Sequence, residues 1–228
     1  MPFTGKIRLL IEKGWQSTVL CTIFTETDMQ CMKITLYNAN EQPTFNGIDR
    51  LTEDLAVRLE ASHQVQKVYL RELEVRTCTG CWDCWVKTPG RCVAKDDMEV
   101  VYKSFLQSDL VIFLAPLVMG FPSSLMKKVN DKLIPLIHPY ITLVEEECHH
   151  QPRYDSYPDW GLILGPEADT DEDDLDIVRS VYQRTALNIK RTLLFTFTTE
   201  KPVHEIVYEI DHLQRIPAGE AEQHTGAA

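Results

Sequence analysis

The chain reads as an α/β protein built on a doubly wound, five-stranded parallel sheet with helices on both faces. Three observations predict this. Short apolar runs alternate with segments whose apolar residues recur every three or four positions, the pattern of strands interleaved with amphipathic helices. The run at 110–115 (Leu-Val-Ile-Phe-Leu-Ala) is apolar without a break, as a strand covered on both faces should be. Polar, turn-forming loops separate the runs, and strands joined through helices imply right-handed crossovers within one parallel sheet.

Residues 1–31 stand outside this alternation and are expected to form an N-terminal extension. The domain proper is expected over 32–213. Ile34 and Leu36 mark its first strand, which runs into a polar, turn-rich stretch at 38–47. Ile48, Leu51, Leu55 and Leu59 then share one face of a helix. A second strand follows at 65–70, a short helix at 98–106 and the third strand at 110–115. Ser123 and Ser124 can cap the next helix, which carries Leu125, Val129 and Leu133. The fourth strand, 160–164, ends at Gly165-Pro166. Asp171, Glu172, Asp173 and Asp174 then place acids where a helix dipole favours them, and that helix runs on through Leu175, Val178, Tyr182 and Ile189. A fifth strand is expected at 193–198, and Pro202 opens a last helix through Val203, Ile206, Val207 and Ile210. Residues 214–228 read as a tail.

Composition narrows the class of function. The 228 residues are 44% hydrophobic and 25% charged, ordinary for a globular chain. A formal charge of −11 opposes binding to a nucleic-acid backbone, which needs clustered Lys and Arg. No apolar run reaches the length of about 18 residues that a membrane span needs. Lys6, Arg8, Glu12 and Lys13 interrupt any signal-like segment, and seven cysteines, an odd number, fit a reducing compartment. A cytoplasmic protein is the expectation.

Four of those cysteines crowd into fifteen residues: Cys78, Cys81, Cys84 and Cys92, spaced C-x2-C-x2-C-x7-C and followed by Lys95-Asp-Asp-Met98. Soft thiolates at this density suit an iron–sulfur cluster, zinc or thiol exchange. Redox-inert packing beside Trp82 and Trp85 is equally open. The x2 spacings let three thiolates wrap one centre, with Gly80 easing the backbone and Cys92 returning through Pro89-Gly90. His149-His150, next to Cys148, lacks a third ligand at a fixed spacing and reads as a surface loop.

In a doubly wound sheet, ligands bind beyond the carboxyl ends of the strands where the strand order reverses. Three loops should meet there. The first offers Asn38, Asn40, Thr44, Asn46 and Gly47, together with a helix N-terminus, to a phosphate. The second, Pro116, Leu117, Val118, Met119, Gly120 and Phe121, is apolar; it suits a flat ring such as an isoalloxazine, with the backbone around Met119 and Gly120 facing the ring edge. A plain hydrophobic contact surface is the alternative for it. The third contributes Gly165. No Gly-x-Gly-x-x-Gly or P-loop motif occurs.

The cysteine run with its Lys-Asp-Asp-Met, the strand Ser108-Asp-Leu-Val-Ile-Phe-Leu-Ala-Pro116, and Ser123-Ser-Leu-Met-Lys127 with Asp131-Lys132 together resemble one known group. It is the NADPH-dependent FMN reductase and iron–sulfur flavoprotein group of the flavodoxin-like superfamily, and the resemblance covers about residues 32–199. It implies a flavodoxin-like fold and bound FMN. It also implies NAD(P)H as a transient co-substrate, a homodimer or homotetramer, and a [4Fe–4S] cluster on Cys78, Cys81, Cys84 and Cys92. The activity it implies is electron transfer from nicotinamide through flavin to a quinone, a free flavin, a metal or an iron–sulfur partner, with no side-chain acid or base required. The group's phosphate loop commonly runs Gly-Ser-Pro-Arg … Gly-Asn-Thr, where this chain has Asn40-Glu-Gln-Pro-Thr-Phe-Asn-Gly47. A non-enzymatic electron carrier and a flavin-free cysteine sensor are the alternative readings.

Overall fold

The computed structural model describes residues 31–43 and 47–213; the expected extension, apart from Cys31, and the expected tail lie outside it. Its strands in the main sheet are β1 (Lys33–Asn38), β2 (Gln64–Tyr69), β3 (Leu110–Val118), β7 (Asp159–Gly165) and β8 (Leu193–Thr198), laid side by side in the order β2-β1-β3-β7-β8 and all parallel. This is the flavodoxin-like order, with the reversal between β1 and β3. A two-residue strand, β4 (Phe121–Pro122), folds back antiparallel on the end of β3, pairing Leu117 with Pro122 and Val118 with Phe121.

The burial of β3 follows its composition. All of its residues but Val118 are buried, because helices cover both faces. On one face lie α1 (Ile48–Leu59) and α6 (Val203–Asp211), which bury Ile48, Leu51, Leu55, Leu59, Ile206 and Ile210 against Ile34, Leu36 and Ile112. On the other lie α3 (Met98–Gln107), α4 (Ser124–Asp131) and α5 (Glu172–Leu187), with Val101, Phe105, Val178 and Tyr182 packed on Tyr37, Phe113 and Trp160. Tyr37 stacks on Phe113 at 4.9 Å, and its hydroxyl meets Ser104 Oγ at 2.7 Å, so a polar tip in the core keeps a partner.

The end signals work as expected for two helices. Ser123 Oγ accepts from Met126 N–H at the start of α4. Asp171 and Asp174 form a reciprocal capping box at the start of α5. Both helices stop short of their expected ends, leaving Leu133 and Ile189 beyond the last turn.

A second sheet was not expected. The strands β5 (Ile137–Val144) and β6 (Glu147–Pro152) form an antiparallel hairpin whose turn residues, Glu145 and Glu146, both take positive φ. His149 and His150 therefore lie in a strand rather than a surface loop. His149 is buried, with Nε2 3.1 Å from Glu147 and Nδ1 3.4 Å from Asn188. Among the described residues no helix is long and apolar enough to cross a membrane.

A buried histidine joins the last helix to the start of the domain. Met32 N–H donates to His63 Nδ1 at 3.2 Å, which leaves Nε2 protonated and able to donate to Asp211 at 2.9 Å. Burial holds this imidazole below its ordinary 6.5, with Asp211 pulling the other way. Because the folded value lies below the unfolded one, the unfolded chain takes up a proton that the folded chain refuses. The contribution is complete above about pH 6.5 and is lost as pH falls through the folded value. Denaturant midpoints from pH 8 to pH 5 should therefore fall more steeply for the wild type than for His63→Asn. Parallel curves would show that the pair is silent.

Candidate functional site

Two concave sites gather residues singled out in the sequence. The first, about 310 Å³, lies where β1 and β3 part and is lined by Asn40, Glu41, Gln42, Pro116, Val118, Ser123 and Ser124. Two hydroxyls stitch its walls together. Ser123 Oγ donates to Ala39 O at 2.7 Å, and Ser124 Oγ donates to Glu41 Oε1 at 2.5 Å.

The first loop is shaped from behind by a carboxylate. Asp49, in the opening turn of α1, accepts from Asn38 Nδ2 at 2.9 Å and Asn40 Nδ2 at 3.2 Å. It also takes both terminal nitrogens of Arg71, at 3.0 and 2.8 Å. The bidentate Arg71 neutralises Asp49, lies over the Tyr69 ring and donates to Asn40 O. Asn38 is fully buried, and its side chain is committed to Asn40 N–H, Asp49 and Thr52. Gly47 holds the N-cap of α1 in the left-handed region (φ 64°), and among the described residues no side chain caps the first amides of this helix. Thr44 and Asn46 lie outside the described residues.

The second loop is a two-residue reversal. Met119 (φ 55°) and Gly120 (φ 74°) both take positive φ, as a type I′ turn requires. Met119 is 93% exposed, so no packing explains a left-handed methionine. Val118 is half-exposed, Leu117 points into the core, Phe121 pairs with Val118, and Gly165 pairs with Pro116 at the end of β7. Gly120 N–H donates to Glu167 at 3.2 Å. Relief of the left-handed conformation is worth about 1–2 kcal/mol, and glycine costs roughly 0.5–1 kcal/mol in unfolded-chain entropy. Met119→Gly should therefore raise stability by up to about 1.5 kcal/mol, read as a higher denaturant midpoint. A lower midpoint would reveal a contact made by the methionine.

The second site, about 450 Å³, is lined by all four clustered cysteines together with Tyr102, Lys132 and Ile134. The four are free thiols, with Cys84 buried and Cys81 exposed. Left-handed Gly80 (φ 66°) and Trp82 (φ 61°) bend the chain around the first pair, and α2 (Asp83–Val86) carries Cys84 inward. Gly90 N–H donates to Cys84 O at 3.1 Å, which turns the chain back toward Cys92. Trp85 stacks on Trp82 at 4.8 Å and donates from Nε1 to Ile134 O and Ile137 O, anchoring α2 to the base of the hairpin.

Burial raises the Cys84 thiol above its ordinary value, and the charges of Cys92, Cys78 and Cys81 raise it further. The four sulfurs thus share one electrostatic environment, and loading a metal there must displace protons. Among the described residues no three His, Cys, Asp or Glu side chains stand close enough to hold a single metal ion. Four thiols around one cavity are a donor set of the number and chemistry that a [4Fe–4S] cluster takes.

Sequence reasoning brought Asn40, Pro116 and Val118 to the first site and all four cysteines to the second. It missed Glu41 and Gln42 as lining residues, read Ser123 and Ser124 as caps and as part of the resemblance rather than as lining, and gave no site role to Arg71 or Lys132. Two hydroxyls directly after a predicted ligand loop were the available signal.

No protein-family model matches the chain. The curated iron-sulfur flavoprotein of Archaeoglobus fulgidus is 33% identical over 75 residues, 33% of this chain and 33% of that protein, so the match spans a third of that relative's length. The solved NAD(P)H:quinone oxidoreductase from Methanothermobacter marburgensis aligns over 80% of this chain and 94% of its own, with a TM-score of 0.56 and 15% identity. The azoreductase of Bacillus anthracis gives 0.52 and 14%, over 78% of this chain and 93% of its own. These likenesses establish the flavodoxin-like fold.

Proposed function

We propose that this flavodoxin-like chain is an FMN-dependent NAD(P)H oxidoreductase that also carries a [4Fe–4S] cluster on Cys78, Cys81, Cys84 and Cys92. The observation that carries the reading is the cleft at the β1/β3 reversal, where the polar side chains of Asn40, Ser123 and Ser124 face the apolar Pro116 and Val118. Bound FMN would supply hydride acceptance from reduced nicotinamide and onward release of the electrons to an acceptor.

The chain's own residues bind and orient. The opening amides of α1 receive the phosphate, and Ser124 joins them by turning its proton from Glu41 to the ligand. Arg71 screens that phosphate from Asp49, so the carboxylate shapes the loop without repelling the ligand. Val118 and Met119 give the ring an apolar wall, and the Met119 amide supplies a donor along its edge, the Gly120 amide being held by Glu167. The cysteine site fits the cluster in number and chemistry of donors, and its thiols would hold it as thiolates. The exposed Val118, Met119 and Trp82 beside the two sites are apolar surface suited to a homodimer or homotetramer.

Anaerobic purification followed by FMN titration tests this. Flavin absorbance that stays with the protein, together with NAD(P)H oxidation, is the expected result; protein that remains colourless after FMN addition refutes the reading. Serine at any one of Cys78, Cys81, Cys84 or Cys92 should lower bound iron and bleach the broad absorbance beneath the flavin bands, whereas Cys148→Ser should leave both unchanged. Wild-type protein with flavin but no iron would remove the cluster and leave the flavin reading standing.

A second reading, a flavodoxin-like carrier without nicotinamide activity, is favoured by the acids Glu41, Glu167 and Asp174 around the flavin cleft and turn. Such a rim suits docking onto a basic protein. Slow NAD(P)H oxidation alongside rapid reduction by a protein donor would select it.

A further inference from the structure

The Lys-Asp-Asp-Met stretch after the cysteines has a structural role that the flavin reading does not use. Residues 77–95 leave the fold and return to it through a narrow neck. At that neck Glu74 N–H donates to Asp97 Oδ2 at 2.8 Å, and Asp97 N–H returns to Glu74 O at 3.0 Å. Arg76 N–H donates to Asp96 Oδ2 at 3.0 Å, and Met98 N–H to Asp96 Oδ1 at 3.3 Å. Asp96 therefore holds both ends of the cysteine segment at once.

Its counter-ion comes from elsewhere in the chain. Lys132, at the end of α4, forms an ion pair with Asp96, and each side chain is only 1% exposed. Tyr102 O–H donates to Lys132 O at 2.8 Å and fixes the lysine's backbone. Lys132 and Tyr102 line the cavity that holds all four cysteines, and Asp96 lines an adjoining one that holds only Cys92 of the four. A buried ion pair is seldom the most stable filling of a core, since an apolar pair of similar volume is often as good or better. Its presence beside four thiols calls for a reason other than stability.

We propose that Asp96 and Lys132 form a buried clamp that closes the neck of the cysteine segment and sets a positive charge beside its four thiols. The clamp holds Cys78 and Cys92, near the two ends of the segment, around one cavity. The ammonium offsets the negative charge that accumulates when the thiols ionise onto a metal cluster, and at short range in a poorly solvated site such a charge counts strongly. The neck half of this proposal stands on hydrogen bonds alone, while the charge half rests on the cluster reading.

The test compares wild type, Lys132→Arg and the double variant Asp96→Asn/Lys132→Met, which removes both charges and leaves neither ion without its partner. In metal-free protein, iodoacetamide labelling followed by peptide mass spectrometry reads the accessibility of each cysteine. The double variant should label Cys84 several-fold faster, Lys132→Arg should stay near wild type, and circular dichroism should be alike in all three. Labelling of Cys84 at the wild-type rate in the double variant overturns the clamp. In anaerobically reconstituted protein, the cluster midpoint potential of the double variant should be more negative than wild type, because the cation favours the reduced, more negative state. An unchanged potential at equal iron content overturns the charge assignment. If the wild type takes up no iron, the cluster reading and the charge half fall together, and the labelling rates still decide the clamp.

Discussion

Alanine at Gly161 is expected to cost about 3 kcal/mol of stability, the upper end of the range for overpacking a core. Gly161 lies in β7, the strand between β3 and β8. A Cβ there would stand 2.2 Å from Phe195 Cζ, 2.5 Å from Cε2 and 2.9 Å from Cε1. The ring has little room to yield. Phe195 is buried and stacks on Phe197 at 4.6 Å with an 11° angle between planes. The ladder between β7 and β8 also shifts register between Trp160 and Gly161, so the backbone has already moved to admit the ring. For a chain of this size the loss corresponds to a melting temperature lower by roughly 6–12 °C. Adding Phe195→Leu to Gly161→Ala should restore part of it. A single variant that melts at the wild-type temperature would show that the ring swings clear.

Lys132→Met alone is expected to be the more damaging change, at about 3–5 kcal/mol, the usual cost of stranding one member of a buried ion pair. Asp96 would keep its two backbone donors but lose its only counter-ion among the described residues, at a position that water barely reaches. Pairing the change with Asp96→Asn should recover most of the loss, because the amide can still accept from Arg76 or Met98 without carrying charge. Denaturant unfolding of the two variants side by side is the measurement. Equal midpoints would mean that Asp96 finds water once the lysine is gone.

The parallel sheet was legible because its signals were local. The unbroken apolar run of β3, the three-and-four spacing of α1 and the acids opening α5 each lie within a dozen residues. The hairpin was not legible. Its turn is Glu145-Glu146, and glutamate in a left-handed turn carries none of the Asn-Gly or Asp-Gly character by which such turns are recognised. Met119 and Trp82 hid their backbones in the same way. The cysteines declared the second site by their density alone. Its counter-charge did not, since a lysine beyond a helix end reads as a solvated cation until the fold carries it beneath Asp96. At the first site, Asn38 and Asn40 offered the right chemistry, but Asp49 and Arg71 draw part of it inward, and only the tertiary structure shows that Ser124 and Glu41 meet across the cleft.

The narrow neck also divides the molecule into cooperative units of different size. Residues 77–95 are joined to the rest of the described fold through a handful of hydrogen bonds at 74–76 and 96–98, the Trp85 anchor with its ring contact to His150, and the Arg91–Glu99 ion pair, and no strand of the sheet passes through them. Opening them requires breaking the neck and the anchor but no part of the sheet ladder. The amides of this segment can thus exchange with solvent by sub-global fluctuations far smaller than global unfolding, while those of β1, β3 and β7 wait for the whole domain. A prosthetic group could enter and leave on the timescale of the smaller event with the sheet intact throughout.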